Sequence, residues 1–122
     1  MMYLAVCVAA AFGALARHLT GLFATRLTRR STLGTVLANV LGSLLAGGIA
    51  GASLAWGLPS AWHVVIGTGF LGAYTTFSSW MVEAAAYLRD DEAIKMLLYV
   101  VGSTVLGTMA AAAGLIGMLA LA

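Results

Sequence analysis

Hydrophobic residues run along this chain in four long blocks separated by short polar or turn-forming segments. The blocks cover residues 3–23, 33–55, 63–88 and 96–121. Each is close to the ~20 apolar residues that a helix needs to cross the hydrocarbon core of a bilayer. Residues 31–82 contain no Asp, Glu, Lys or Arg, and Pro59, the only proline, divides this stretch in two. The pattern predicts an all-α integral membrane protein with four transmembrane helices in a single domain, residues 1–122.

The composition supports a membrane environment and argues against soluble enzymes. Charged residues make up 8% of the chain, against ~25% in ordinary soluble domains. The sequence lacks the basic stripe interleaved with aromatic residues that would predict nucleic-acid binding. It also lacks a Ser/His/acid set or a metal-ligand cluster that would predict an enzyme. Residues 67–72 spell G-x-G-x-x-G. No βαβ unit surrounds this motif, so it does not predict a dinucleotide site.

The basic residues between the blocks predict a strong orientation in the membrane. Four crossings place the loop that starts at Thr25 and the loop at residues 89–95 on one side, with both termini and the Pro59 loop on the other. All the loop bases fall on the first side: Arg26, Arg29, Arg30, Arg89 and Lys95. The positive-inside rule makes that side cytoplasmic and predicts that both termini face outward.

Polar side chains within the first two blocks are candidates for function. Arg17 is either an interfacial arginine whose side chain reaches the headgroups or an attractor for anions. Asn39 lies near the middle of the second block, with Thr35 and Ser43 one turn away on the same helix face. An Asn here can join helices, but its amide also offers two N–H donors to an anion. In the fourth block Tyr99 and Ser103 repeat this spacing.

Residues 72–80 of the third block predict an interrupted helix. The segment GAYTTFSSW combines a glycine with two adjacent β-branched threonines and two serines. Within a membrane, freed backbone groups are tolerated only inside protein or beside a water-filled cavity, and freed carbonyls can coordinate a cation. The alternative is an unbroken helix whose hydroxyls bond back to its own carbonyls. Glu83 follows in the same block, either as a carboxylate lining a vestibule or as a solvated interfacial residue.

Three motifs together resemble those of the CrcB/Fluc fluoride channel family. They are Gly13-Ala14-x-x-Arg17, Gly34-Thr35-x-x-x-Asn39-x-x-Gly42-Ser43 and Gly69-Phe70-x-Gly72-x-x-Thr75-Thr76-Phe77-Ser78. The length of the chain, the number of blocks and the order of the motifs fit the family from end to end. The chain departs from it at Trp80, where many members have Phe, at Gly107, where many have Ser, and at Ala9-Ala10, where a glycine pair is common.

The resemblance implies an antiparallel, inverted dimer that holds two fluoride pores and a structural sodium ion at its centre. Backbone carbonyls of Gly72 and Thr75 would ligate the sodium ion. Asn39 would donate to fluoride. The remaining residues that match the family's fluoride path are Arg17 at its entrance, Glu83 along it, Thr35, Tyr99 and Ser103 in a polar track, and Phe77 and Trp80 as pore-lining rings.

As a function, the resemblance implies passive, fluoride-selective export through the plasma (inner) membrane of a bacterium, which relieves fluoride toxicity. A small four-helix multidrug or cation antiporter is a rival, although this first block lacks the carboxylate that such transporters carry. A structural membrane assembly subunit is a second rival. Because the loop bases favour one orientation, we expect the inverted partner to be a related sister chain with the opposite charge bias, with a homodimer as the alternative.

Overall fold

The computed structural model describes residues 1–28 and 31–122, and the regular structure of these residues is entirely helical. In chain order the elements are α1 (Met2–Thr28), α2 (Ser31–Trp56), α3 (Ser60–Trp62), a π-helix (His63–Leu71), α4 (Gly72–Tyr74), α5 (Ser78–Arg89) and α6 (Ala93–Ala120). Among the described residues, α1, α2 and α6 are long and apolar enough to cross a membrane. The predicted all-α class is therefore confirmed.

Three long helices extend past the hydrophobic blocks that predicted them. Helix α1 continues to Thr28, so the prediction that a loop starts at Thr25 is wrong. Hydropathy marks only the apolar part of a helix, whereas the backbone keeps its helical hydrogen bonds until other partners are available. The predicted loop residues Arg29 and Arg30 lie outside the described residues.

The third block is divided, as predicted, into two helical parts. Residues 60–74 are helical, with a π-helical middle section. Thr75 then adopts an extended conformation, with φ −81° and ψ 162°, and the helix resumes at Ser78. The structure thus confirms an interruption within the segment that was singled out, and the interruption covers residues 75–77.

Helices α2 and α6 pack along a seam of small residues. A Cβ atom added to Gly47 would collide with the Ala111 carbonyl oxygen, and one on Gly114 would collide with the Leu44 carbonyl oxygen. A Cβ atom on Gly51 would lie somewhat farther out, 2.6 Å from the Leu115 carbonyl oxygen, which is still too close. Small residues let helix backbones approach closely in membranes, so these glycines serve packing, and Gly47 and Gly51 have the small-xxx-small spacing common in such contacts.

The surface of the described chain is largely apolar. No large side chain is fully buried, and the core consists mainly of alanines together with Leu71 and Tyr74. Large side chains such as Phe12, Leu54 and Ile94 face outward, with exposed fractions of 62%, 74% and 76%. Soluble monomers rarely expose continuous apolar surface on this scale. Such a surface suits lipid or a second chain.

Candidate functional site: a polar groove at the helix interruption

The side chain of Asn39 on α2 pairs with the backbone of the interruption. Its Oδ1 accepts the Thr76 amide N–H at 2.8 Å, and its Nδ2 donates to the Thr76 carbonyl at 2.9 Å. In a continuous α-helix the Thr76 N–H would donate to the Gly72 carbonyl. The Asn39 amide therefore replaces a helical partner and leaves the Gly72 carbonyl without its usual donor.

Hydroxyl groups stabilise both ends of the interruption. The Thr75 Oγ1 and amide N–H each donate to the Leu71 carbonyl at 2.9 Å. On the far side, the Thr76 hydroxyl accepts the Ser79 amide N–H at 3.3 Å, which is one of the donors left unpaired at a helix start. The two threonines therefore end one helix and begin the next, and this explains why two adjacent hydroxyl residues stand at this point.

A groove of about 540 Å³ opens beside the interruption, bounded by α2 and α6. It contains four of the predicted path residues, namely Asn39, Phe77, Trp80 and Ser103. Its other lining residues are Ser43, Thr75, Thr76, Thr104, Gly107, Thr108 and Ala111. Phe77 is 70% exposed, so its ring lies at the open side of the groove and is not packed in the core.

A second, smaller cavity of about 280 Å³ brings together three more predicted residues, Arg17, Thr35 and Glu83. Thr76 and Ser79 also line it. Thr76 lines the groove as well, so the two cavities adjoin at this residue of the interruption. The arrangement places a charged vestibule next to a groove without charged lining residues.

Glu83 receives hydrogen bonds from two hydroxyls that the sequence marked as candidate fluoride donors. Thr35 Oγ1 donates to Oε1 at 2.9 Å, and the Tyr99 hydroxyl donates to Oε2 at 2.5 Å. The carboxylate thus joins α2, α5 and α6 in one network. In this state the Thr35 and Tyr99 hydrogens are directed at the protein itself.

Trp80 and Ser103 form a direct link across the groove. The Trp80 Nε1–H donates to Ser103 Oγ at 2.8 Å, while the Ser103 hydroxyl donates to the Tyr99 carbonyl at 2.6 Å. The Trp80 ring also lies against Phe77, with ring centroids 5.5 Å apart and planes inclined by 58°. The two rings therefore form one aromatic wall of the groove.

Comparison with known proteins agrees with this geometry. The profile of the family described as CrcB-like protein, Camphor Resistance (CrcB), matches residues 4–115. The chain belongs to the CrcB family. The resemblance that the three motifs predict is therefore confirmed.

Several curated relatives of this CrcB chain are similar over most of their length. Fluoride-specific ion channel FluC 1 of Leifsonia xyli subsp. xyli is 40% identical, and the match covers 100% of this chain and 90% of the relative. Fluoride-specific ion channel FluC of Chlorobium chlorochromatii is 39% identical, over 93% of this chain and 88% of the relative. The FluC channel of Hydrogenobaculum sp. is 34% identical, over 93% of this chain and 94% of the relative.

The backbone carbonyls of Gly72 and Thr75, at the interruption of this CrcB chain, are oxygen donors that a hard cation could bind. Gly72 has a carbonyl without its helical donor, because Thr76 pairs with Asn39. The Thr75 carbonyl accepts from Arg17 Nη1 at 3.3 Å, and a carbonyl oxygen has a second lone pair with which it could ligate a cation. No group of three or more His, Cys, Asp or Glu side chains that could hold a metal occurs among the described residues. Oxygen ligands are what hard cations prefer, so the donor class fits sodium.

Some residues of the site in this CrcB chain were not selected as site residues from sequence. Thr76 is the main one, since it lines both cavities and pairs with Asn39. Its place among the hydroxyl residues of the third block indicated that it could lie in the site. Its partner Asn39 lies on α2, however, and the sequence does not show that pairing. Thr104 and Thr108 share the spacing of a polar track, yet their hydroxyls donate to carbonyls of their own helix.

Proposed function

We propose that this chain forms a passive, fluoride-selective ion channel that exports fluoride from the cytoplasm of a bacterium and is not an enzyme. The groove at the interrupted helix carries this proposal, because it combines amide, indole and aromatic groups along one cavity in an otherwise apolar helix bundle. Fluoride holds water strongly, so a pore must offer donors in its place. The names of the curated relatives support the same function.

Entry of the anion would begin in the vestibule. Arg17 would attract fluoride there, since its guanidinium is the positive charge among the lining residues. Glu83 would repel an anion less than a bare carboxylate does, because both of its oxygens accept hydroxyl hydrogen bonds. Thr76, which lines both cavities, would mark the passage from the vestibule into the groove.

Inside the groove, Asn39 and Phe77 would replace part of the ion's water. One Asn39 N–H serves the Thr76 carbonyl, and an amide has two such hydrogens. The second would donate to fluoride. The edge of the exposed Phe77 ring is electropositive and would add a weak attraction, so the ion would be held loosely enough to leave.

A sodium ion would supply a fixed positive charge that offsets the cost of an anion at low dielectric. The Gly72 and Thr75 carbonyls would hold it. Hard cations take more than two oxygen ligands, so a single chain offers an incomplete site. This supports an assembly in which a second chain contributes the remaining ligands.

The assembly would be an inverted dimer of chains that each cross the plasma membrane four times, with the termini outside. The groove beside the largely exposed Phe77 leaves room for a second chain. The loop bases favour one orientation, which supports a sister chain as partner.

Reporters fused to the C-terminus test whether the chain inserts in one orientation or in both. Signal from one membrane face supports the sister chain, and equal signal from both faces supports a homodimer.

Ion flux from liposomes that contain the purified assembly tests the channel itself. We expect rapid fluoride efflux that needs no second ion, and chloride efflux close to that of empty liposomes. Phe77→Ala should lower fluoride flux by about three- to tenfold, the range for loss of one aromatic-edge interaction. Phe12→Ala is the matched control, because Phe12 is 62% exposed on α1 and does not line the groove. Equal leakage of fluoride and chloride would contradict the proposal.

A further inference from the structure

In the hydrogen bond between Trp80 and Ser103, the indole N–H is the donor and the Ser103 hydroxyl oxygen is the acceptor. Ser103 has a single hydroxyl hydrogen, which is directed at the Tyr99 carbonyl at 2.6 Å, with the Val100 carbonyl at 3.2 Å as its other acceptor. The lone pairs of Ser103 Oγ accept the Trp80 N–H at 2.8 Å. Ser103 therefore presents oxygen, not hydrogen, to the groove.

The Ser103 hydroxyl and the Trp80 N–H differ in which hydrogen bonds are lost when each turns toward an anion. Releasing the Ser103 hydrogen would break its bond to the Tyr99 carbonyl, and the hydroxyl that turns toward the ion would then also lose its place as acceptor of the Trp80 N–H. Redirecting the Trp80 N–H removes only its bond to Ser103 Oγ, and that oxygen keeps its own hydrogen bond to Tyr99. A hydrogen bond to a charged acceptor is stronger than one to a neutral hydroxyl. An anion therefore competes well for the indole hydrogen.

We propose that Trp80 is the anion donor at this point of the groove, and that its N–H passes from Ser103 to fluoride when the ion arrives. Between ions, Ser103 Oγ accepts the indole N–H and therefore competes with fluoride for it. This inference rests on the proposed fluoride function and assigns the donor within it. It also gives the hydroxyl of Ser103 a different role from the donor role that its place in the polar track predicts.

Two substitutions should therefore change fluoride flux in opposite directions. Trp80→Phe keeps an aromatic ring beside Phe77 but removes the N–H, and we expect flux to fall more than about tenfold, the effect of losing a hydrogen bond to a charged group. Ser103→Ala frees the N–H from its resting partner. We expect flux through this variant to exceed that of the unmodified channel, because the resting acceptor no longer competes with fluoride for the indole hydrogen.

Tryptophan fluorescence provides a second measurement that does not depend on flux. Trp56 and Trp62 are about half exposed, at 52% and 54%, and neither lines the groove. In a Trp56→Phe, Trp62→Phe background, Trp80 is the remaining tryptophan. Sodium fluoride should shift its emission in a saturable way, and sodium chloride at the same concentrations should not. In Ser103→Ala the shift should need less fluoride.

The outcomes separate this inference from the channel function. If the unmodified protein passes fluoride but Ser103→Ala loses flux as far as Trp80→Phe does, Ser103 is the donor and the inference is wrong. Unchanged flux in Trp80→Phe also overturns it. If the unmodified protein passes no fluoride, the proposed function fails. In that case, an emission that responds to fluoride still supports Trp80 as a donor, and one that ignores fluoride rejects it.

Discussion

Two regions of the molecule bring groups of different helices close together: the seam between α2 and α6, and the interruption in the third block. They differ in the kind of contact that results. At the seam, Gly47 and Gly114 bring carbonyls of the neighbouring helix within contact of the backbone, and both helices keep their own hydrogen bonds. At the interruption, the backbone of Thr76 leaves the helical pattern and bonds to Asn39. The seam depends on shape, whereas the interruption depends on polar partners.

This difference separates the stability of the fold from the chemistry of the groove. The seam offers no side-chain donor at its closest contacts, so substitutions there should affect folding and assembly. The interruption lies where the buried Thr76 and the half-buried Asn39 and Thr75 meet two cavities, so substitutions there should affect permeation first. Variants of the two regions test whether the roles divide in this way.

The largest effect is expected at the seam, from Gly47→Ala. The added Cβ would collide with backbone atoms of Ala111, which cannot move without shifting α6. We expect a loss of about 3 kcal/mol of stability, as in overpacked cores, measured by denaturant unfolding in detergent.

Gly117→Ala is the matched control for the seam, since a Cβ there meets nothing within 4 Å. It should raise stability by about 0.5–1 kcal/mol, the usual gain when alanine replaces a helix glycine without a collision. If both variants unfold at the same denaturant concentration, close helix contact is not what stabilises the seam.

A large effect on permeation is expected from Asn39→Ala. This substitution removes the partners of both the Thr76 N–H and the Thr76 carbonyl, and each buried group left unpaired costs about 1–3 kcal/mol. The backbone at residues 75–77 should lose its present conformation. A free-energy cost of this size corresponds to a fall of more than tenfold in fluoride flux from liposomes.

Ser53→Ala serves as the control on the same helix. Its hydroxyl bonds to the Ile49 carbonyl and His63, and it lines neither the groove nor the vestibule. Normal flux in Asn39→Ala would mean that the Thr76 backbone finds another partner, and that Asn39 does not hold the interruption open.

The same contrast explains how much could be predicted from sequence. The all-α class and the four apolar blocks follow from hydropathy along the chain, whereas the pairing of α2 with α6 does not, because it joins positions such as Gly47 and Ala111. The segment of the interruption was also predictable, because Gly72, Thr75 and Thr76 all disfavour a continuous membrane helix. These features are local, and local patterns record them.

The partners within the site were less predictable, because each joins residues far apart in sequence. Asn39 was expected to donate to fluoride, which stays a prediction, and the structure shows that it binds the Thr76 backbone, 37 positions away. Thr35 and Tyr99 were expected in a polar track, and both donate to Glu83. A hydroxyl at helical spacing indicates which face it lies on, but not which acceptor its hydrogen reaches.

The smallest effect is expected from Tyr99→Phe, which tests whether the polar network acts as a unit. Removing the hydroxyl takes one hydrogen bond from Glu83 Oε2 and leaves more negative charge facing an approaching anion. We expect flux to fall about fivefold, in line with the modest net value of one hydrogen bond. In a Glu83→Gln background this charge is absent, so Tyr99→Phe should have a clearly smaller effect there. Tyr3→Phe, at a site that is 83% exposed, should leave flux unchanged. An equal loss in both backgrounds would mean that the Tyr99 hydroxyl acts on the ion directly, independently of the carboxylate.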